Sequence, residues 1–233
     1  MPPTDPAFVI SPPPTVSLPV RGTASRFPVH RLYCVGRNYA EHAVEMGHDH
    51  DAEPPFFFLK SPDNLLADGL DFPFPPLSQE VHHEVELVVA LDRGGRDIAA
   101  GDTQGCIFGH AVGLDMTRRD LQAEAKRRGR PWEVGKAFEH SAPCGALAPI
   151  AATGPLDRGE IALTVNGQLR QSGRLEQMIW KTPEIIAELS RHFELRPGDL
   201  IMTGTPAGVG AVQRGDRLGA RIDGLDPLEL RVI

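Results

Sequence analysis

The chain is 233 residues long, 41% hydrophobic, and carries a formal net charge of -7. This length supports one sizeable core, and the acidic balance, with no basic stripe interleaved with aromatics, argues against nucleic acid as a partner. Three dispersed cysteines, Cys34, Cys106 and Cys144, fit neither a disulfide framework nor a CxxC zinc site, and no apolar run approaches the roughly 20 residues of a membrane span.

The expectation is therefore a cytoplasmic protein in a reducing setting, with neither signal peptide nor membrane partner. A Gly count of 24 and a Pro count of 22 point to many turns and a β-rich, loop-heavy architecture. Residues 1–29 are rich in proline, including Pro12-Pro13-Pro14, and read as an arm holding short extended pieces, laid over the body or over a partner subunit. Residues 30–233 read as a single domain. It opens with a buried strand at Arg31-Leu32-Tyr33-Cys34-Val35-Gly36.

Asn38, three residues before Glu41, resembles a capping box and predicts a helix from about Tyr39 to Met46. On it His42 and Glu45 share a face, which suits a carboxylate that fixes an imidazole as a general base and equally suits a surface ion pair. Residues 47–55 form a polar loop, a candidate lid, whose His48 and His50 read as solvated rather than metal-bound. Phe56 to Lys60 reads as a strand with a lysine at its end, aimed at solvent or at an anionic ligand.

The stretch from His82 to Leu91 reads as a strand interrupted by two carboxylates. Alternation places Glu84 and Glu86 on one face, where two acids on an apolar strand call for a hard divalent cation; an exposed edge strand with ordinary glutamates fits the same pattern. A second buried segment, Gly105 to Leu114, ends at Asp115. The following helix reads as capped by Thr117, with Asp120 at its third position and Gly129 as its stop. Arg119 and Gln122 share a face of it, and Lys126-Arg127-Arg128 reads as a basic C-terminal turn.

Lys136 stands in an apolar segment, where an ammonium group needs a carboxylate cluster or an anionic ligand, or else snorkels as an ordinary amphipathic lysine. Asn166-Gly167 between two strands predicts a type I′ hairpin, and Thr182-Pro183 opens a helix with an apolar face at Ile185, Ile186, Leu189 and Phe193. The loop Gly204-Thr205-Pro206-Ala207-Gly208-Val209-Gly210 lacks a P-loop ending, and its amides and the Thr205 hydroxyl suit a carboxylate. Arg217 to Ile233 reads as two more strands.

Four of these segments together, Val35-Gly36-Arg37-Asn38-Tyr39, His83-Glu84-Val85-Glu86-Leu87, Leu114-Asp115-Met116-Thr117 and Thr203-Gly204-Thr205-Pro206-Ala207-Gly208-Val209-Gly210, resemble the fumarylacetoacetate hydrolase superfamily. Glu53-Pro54-Pro55-Phe56-Phe57-Phe58 and Arg118-Arg119-Asp120-Leu121-Gln122 look like its fumarylpyruvate hydrolase and acylpyruvase branch. The resemblance implies an α+β, β-rich fold with a mixed β-sheet roll, a homodimer, and Mg2+ or Mn2+ held by Glu84, Glu86 and Asp115. It implies a His42 and Glu45 dyad with Lys136 as catalytic groups, and Lys60, Arg119, Gln122 and Thr205 as substrate contacts. The implied reaction is carbon–carbon cleavage of a 2,4-dioxo acid, first of all fumarylpyruvate to fumarate and pyruvate in aromatic-acid breakdown. Oxaloacetate decarboxylation, acylpyruvate cleavage or isomerisation of a hydroxy-diene-dioate would use the same metal site, and a non-catalytic metal-dependent binding protein is the alternative of another class.

Overall fold

The structure, a computed structural model, describes residues 8–45, 54–67 and 69–233. The stretch that carries the two glutamates does form strand, but in two pieces, Val81–His83 and Val85–Leu91, with Glu84 at the break. All seven residues of the second piece are buried, because this strand runs through the middle of a sheet covered on both faces. It pairs antiparallel with Ile107–Leu114 on one side and Asp199–Met202 on the other. Asp199–Met202 in turn runs parallel to Arg31–Gly36, and this one parallel pair makes the six-stranded sheet mixed. Phe56–Lys60 and the short Ala148–Pro149 form its edges.

Alternation sorts the side chains between two cores. Leu87, Val89 and Leu91 pack on one face with Tyr33, Val112 and Leu114, against Ile161 and Leu163 of a second sheet and Ile185, Ile186 and Leu189 of the helix Thr182–His192. That second sheet is antiparallel and four-stranded, built from the Asn166-Gly167 hairpin with Arg217–Ile222 and Leu228–Arg231. Positive φ values at Asn166 (52°) and Gly167 (76°) are those a type I′ turn requires. Val88, Ala90, Leu200 and Met202 face the other way, onto Leu18, Phe27 and Leu147. Leu18 and Phe27 come from a small hairpin, Ser17–Pro19 with Arg26–Pro28, so from Val16 onward the N-terminal segment lies on the body, while residues 8–15 are exposed.

The β-rich α+β fold with a mixed sheet agrees with the expectation from sequence. Local readings differ in three places. The helix after the first strand of the domain spans Ala40–Glu45, and Asn38 does not cap it. Fully buried, Asn38 donates to the carbonyls of Trp180 and Thr203 and accepts the Trp180 amide, so a remote segment has taken the side chain that would have served the helix. Thr117 is not a cap either. Thr117–Arg118 pairs as a strand with Val81–His83, and the helix begins at Arg119. The helix at 182 starts at Thr182 itself, with Lys181 as its cap, because Pro183 is tolerated equally one position further in. The polar loop that was a candidate lid, with His48 and His50, lies outside the described residues except for Pro54 and Pro55. No helix among the described residues is long and apolar enough to cross a membrane.

Candidate active site

Glu84 stands where the chain changes partners. Before it, His83 is paired with Gly210; after it, Val85 is paired with Leu114. Glu86 follows two residues on, and Asp115 succeeds the last residue of the neighbouring strand, its amide held by the Glu84 carbonyl at 2.9 Å. Sheet register thus brings the three carboxylates together, with one oxygen from each within 4.8 Å of the others and every residue buried.

Three cations meet these three anions. The Lys136 ammonium bridges Glu84 (2.9 Å) and Asp115 (2.7 Å) and donates to the Thr117 hydroxyl (2.7 Å). Arg119 grips the other oxygen of Glu84. Lys60 pairs with Asp115 at 2.9 Å and donates to the Ser141 hydroxyl and the carbonyls of Met116 and Lys136. Among the described residues no cation pairs with Glu86, which accepts the Gly204 amide at 2.7 Å.

The electrostatics follow from these contacts. Burial alone would raise the Glu84 pKa, but Lys136 and Arg119 outweigh it and hold the carboxyl below its usual range. Burial likewise opposes the charge on Lys136, and Asp115 and Glu84 overcome it, so its pKa stands above that of an ordinary lysine. Glu86 is pushed well above the carboxylate range by burial and by the neighbouring charges of Asp115 and Glu84. A buried acid in that position gains from a cation beside it, and three converging carboxylate oxygens form the donor set of a hard divalent ion, so the residues present fit Mg2+ or Mn2+. Counting the carboxylates alone leaves such a site net negative. With Lys60, Lys136 and Arg119 included, a loaded site is net positive and suited to an anionic ligand.

One cleft gathers most of the expected site. Its lining includes Glu84, Glu86, Asp115, His42, Arg119, Gln122, Lys136 and Thr205. His42 Nδ1 lies 3.2 Å from Glu45, whose carboxylate also accepts the Gly208 amide. The glycine-rich loop therefore does receive carboxylates, and they are the protein's own, Glu86 at Gly204 and Glu45 at Gly208. Arg119 donates to the Gln122 side-chain oxygen at 2.7 Å, leaving the Gln122 NH2 group as its donor.

Lys60 corrects the expectation of a substrate contact. Its side chain is wholly buried behind Asp115 and does not line the cleft among the described residues, because the ammonium has found its anion within the protein.

Sequence reasoning missed Gln171. It is fully buried on an otherwise exposed strand, accepts from His83 and from the Val85 amide, and donates to Thr205 Oγ1 and the Pro206 carbonyl, each at 2.8 Å. It ties the Glu84 break to the glycine-rich loop. A lone glutamine on the return arm of a hairpin gives no signal of this, since its partners come from two distant segments.

Comparison with known proteins places this arrangement. Residues 31–233 match the family described as Fumarylacetoacetate (FAA) hydrolase C-terminal. A crystal structure of fumarylpyruvate hydrolase from Pseudomonas aeruginosa in complex with Mn2+ and pyruvate is similar with a TM-score of 0.95 at 49% identity, over 97% of this chain and 99% of that one. A fumarylpyruvate hydrolase from Ralstonia sp is 44% identical over 184 residues, 79% of this chain and 95% of its own length. A mitochondrial oxaloacetate tautomerase from Rattus norvegicus is 40% identical over 201 residues, 86% of this chain and 90% of its own length. With a family match running from the first strand of the main sheet to the last residue, and a buried carboxylate triad facing a histidine–glutamate pair, the chain belongs to the fumarylacetoacetate hydrolase family.

Proposed function

We propose that this enzyme hydrolyses the carbon–carbon bond of a 2,4-dioxo acid, with fumarylpyruvate as substrate and fumarate and pyruvate as products. The observation that carries the reading is one cleft lined by both the buried triad and His42, which is held in turn by Glu45. The names of the Pseudomonas and Ralstonia relatives support the substrate, and the Mn2+ and pyruvate in the Pseudomonas structure support a divalent ion beside the 2-oxo acid end.

Glu84, Glu86 and Asp115 would hold the ion, which supplies the Lewis acidity that makes the departing 2-oxo acid a tolerable leaving group. His42, oriented by Glu45, takes a proton from water as its oxygen adds to the C4 carbonyl. The NH2 group of Gln122 and the guanidinium of Arg119 steady the negative charge that develops on the C4 carbonyl oxygen. The C3–C4 bond then breaks, the fumaryl carbon keeps the water oxygen as a carboxylate, and the proton held on His42 passes to C3 to complete pyruvate. Lys136, a catalytic group by the resemblance, would act through its charge and position. All three of its donors are engaged by Glu84, Asp115 and Thr117, so it serves as the counter-charge that sets the geometry of the carboxylates.

A second reading, tautomerisation of oxaloacetate, is favoured by the Rattus relative, and its decarboxylation by the name of a mitochondrial oxaloacetate decarboxylase from Dictyostelium discoideum; neither needs an attacking water. A coupled assay for pyruvate with Mg2+ or Mn2+, run on fumarylpyruvate, acetylpyruvate and oxaloacetate, with the ultraviolet absorbance of enol-oxaloacetate followed in parallel, separates the two. Metal-dependent release of equal amounts of fumarate and pyruvate supports hydrolysis. Turnover of oxaloacetate alone overturns it.

A further inference from the structure

Ahead of Glu84, the segment 78–82 clasps the first turn of the helix Arg119–Arg127. Ser78 Oγ donates to the Asp120 carboxylate at 2.7 Å and the Gln79 amide donates to it at 2.9 Å, while the Glu80 carbonyl accepts the Arg119 amide at 2.7 Å. Val81–His83 then pairs antiparallel with Thr117–Arg118, which leads into the helix. Side chains alternate along this strand, so its two histidines diverge. His83 turns to Gln171, and His82 turns to Arg119.

Arg119 Nε donates to His82 Nδ1 at 3.3 Å, and His82 Nε2 lies 3.0 Å from the Glu80 carboxylate. Arginine has only donors, so Nδ1 is the acceptor, and the ring carries its proton on Nε2, where Glu80 accepts it. Side-chain exposure falls from 50% at Glu80 to 15% at His82 and 11% at Arg119, so the chain of contacts runs inward from solvent. It ends on Glu84, which the same guanidinium grips.

Three contacts hold Arg119: Nη1 donates to Gln122 at 2.7 Å, Nη2 to Glu84 and Nε to His82. Contacts through the two terminal nitrogens alone leave an axis about which a guanidinium can rock, and the third, lying off that axis, fixes its plane. Of the five N–H groups of an arginine, these contacts leave one on each terminal nitrogen for a ligand in the cleft that Arg119 lines.

We propose that His82, oriented by Glu80, is a positioning residue that locks the guanidinium plane of Arg119 so that its terminal nitrogens meet the oxygen gaining charge during cleavage. The inference rests on the reading above that Arg119 steadies the C4 oxygen. His82 touches no substrate and acts through Arg119 alone.

The test joins nitrogen NMR of the Mg2+-loaded protein with steady-state kinetics at saturating metal. In the native protein at neutral pH, His82 should show a bare Nδ1 and a protonated Nε2, and the Arg119 Nε–H signal should be protected from exchange with water. His82→Leu should lose that protection, and His82→Asn, whose side-chain oxygen stands about where Nδ1 does, should keep it. On fumarylpyruvate, His82→Leu should lower kcat by roughly 10- to 100-fold with KM changed less than about threefold, and His82→Asn should restore kcat to within about fivefold of native. Melting temperatures show that both variants fold. A protonated Nδ1, an Arg119 signal equally protected in His82→Leu, or equal losses of kcat in the two variants overturns the proposal. Should the native enzyme release no pyruvate from fumarylpyruvate, the hydrolase reading falls, and the NMR signals decide the His82 assignment by themselves.

Discussion

The amide of Gly208 donates to both oxygens of Glu45, at 3.2 Å each, while one of those oxygens holds Nδ1 of His42. The glycine-rich loop thereby aims a histidine carried on a helix remote from it in sequence. Gly208 sits at φ +94°, and a Cβ there would come within 2.1 Å of the Arg170 carbonyl, so any side chain must displace the loop. Gly208→Ala should lower kcat by roughly 10-fold or more and His42→Ala by about 100- to 10,000-fold, both with metal binding retained. Steady-state kinetics beside a metal titration checks this, and full activity in His42→Ala would remove the water-activating role.

Removing a member of the triad should uncouple the protein from metal altogether. Glu86→Ala, and chelation of the native enzyme, should each abolish turnover, and in the variant Mn2+ affinity should fall at least 10- to 100-fold, the loss typical even of outer-sphere partners. Metal content after dialysis and pyruvate release measured on the same samples decide it. An active, metal-free Glu86→Ala protein would sink the site.

Lys60 is predicted to matter for folding more than for substrate affinity. Lys60→Met leaves Asp115 with one buried cation fewer, and breaking such a pair costs about 3–5 kcal/mol. Added Mn2+ should recover part of the loss, because it supplies charge to the same carboxylate. Denaturant unfolding with and without metal gives the comparison, and a variant as stable as the native chain would contradict the role.

Gln171→Leu should cost about 3 kcal/mol, since it strips partners from the Val85 amide, the His83 ring and Thr205 at a site closed to water. Its kinetic signature should be a raised KM, through Thr205 and the loop, rather than loss of metal. Unfolding midpoints and KM for the dioxo acid test the two halves separately.

His110 provides a pH dependence of stability. Burial lowers its pKa to about 4, below the 6.5 of an exposed imidazole. Between these values the unfolded chain binds a proton that the folded chain refuses, so stability is fully present above pH 6.5 and is lost as the pH falls toward 4, by about 3 kcal/mol in all. His82 and His83, lowered by burial as well, add in the same direction. His110→Gln should flatten the slope between pH 4 and 6.5 whatever it does to stability at pH 7. An unchanged slope would rule His110 out as a contributor.

What could be read from the residues beforehand was whatever depends on near neighbours in the chain. The strand Phe56–Lys60, the Asn166-Gly167 hairpin and the shared face of Glu84 and Glu86 follow from alternation and turn chemistry. What escaped depends on partners brought from afar. Asn38 and Thr117 look like caps until Trp180 and Glu84 claim them, and Lys60 looks like a ligand contact until Asp115 is seen beside it. Lys126 reads with its two basic neighbours as one turn, and only the spacing of three and then four from Arg119 and Gln122 sets it on the cleft face.

The triad and the far wall of the cleft have different owners in the fold. Glu84, Glu86 and Asp115 are fixed by strand pairing in a sheet packed between two hydrophobic cores, where a shift of register by one residue would turn every side chain of the strand to the opposite face. Lys126, Trp132 and Arg37 stand on a helix, a loop and a strand end outside those cores, half-buried and replaceable one at a time. Chemistry at one end can therefore stay constant while reach and charge at the other drift. Substitution at the outer wall would change the shape and charge of the cleft without touching the strand pairing that sets the three carboxylates.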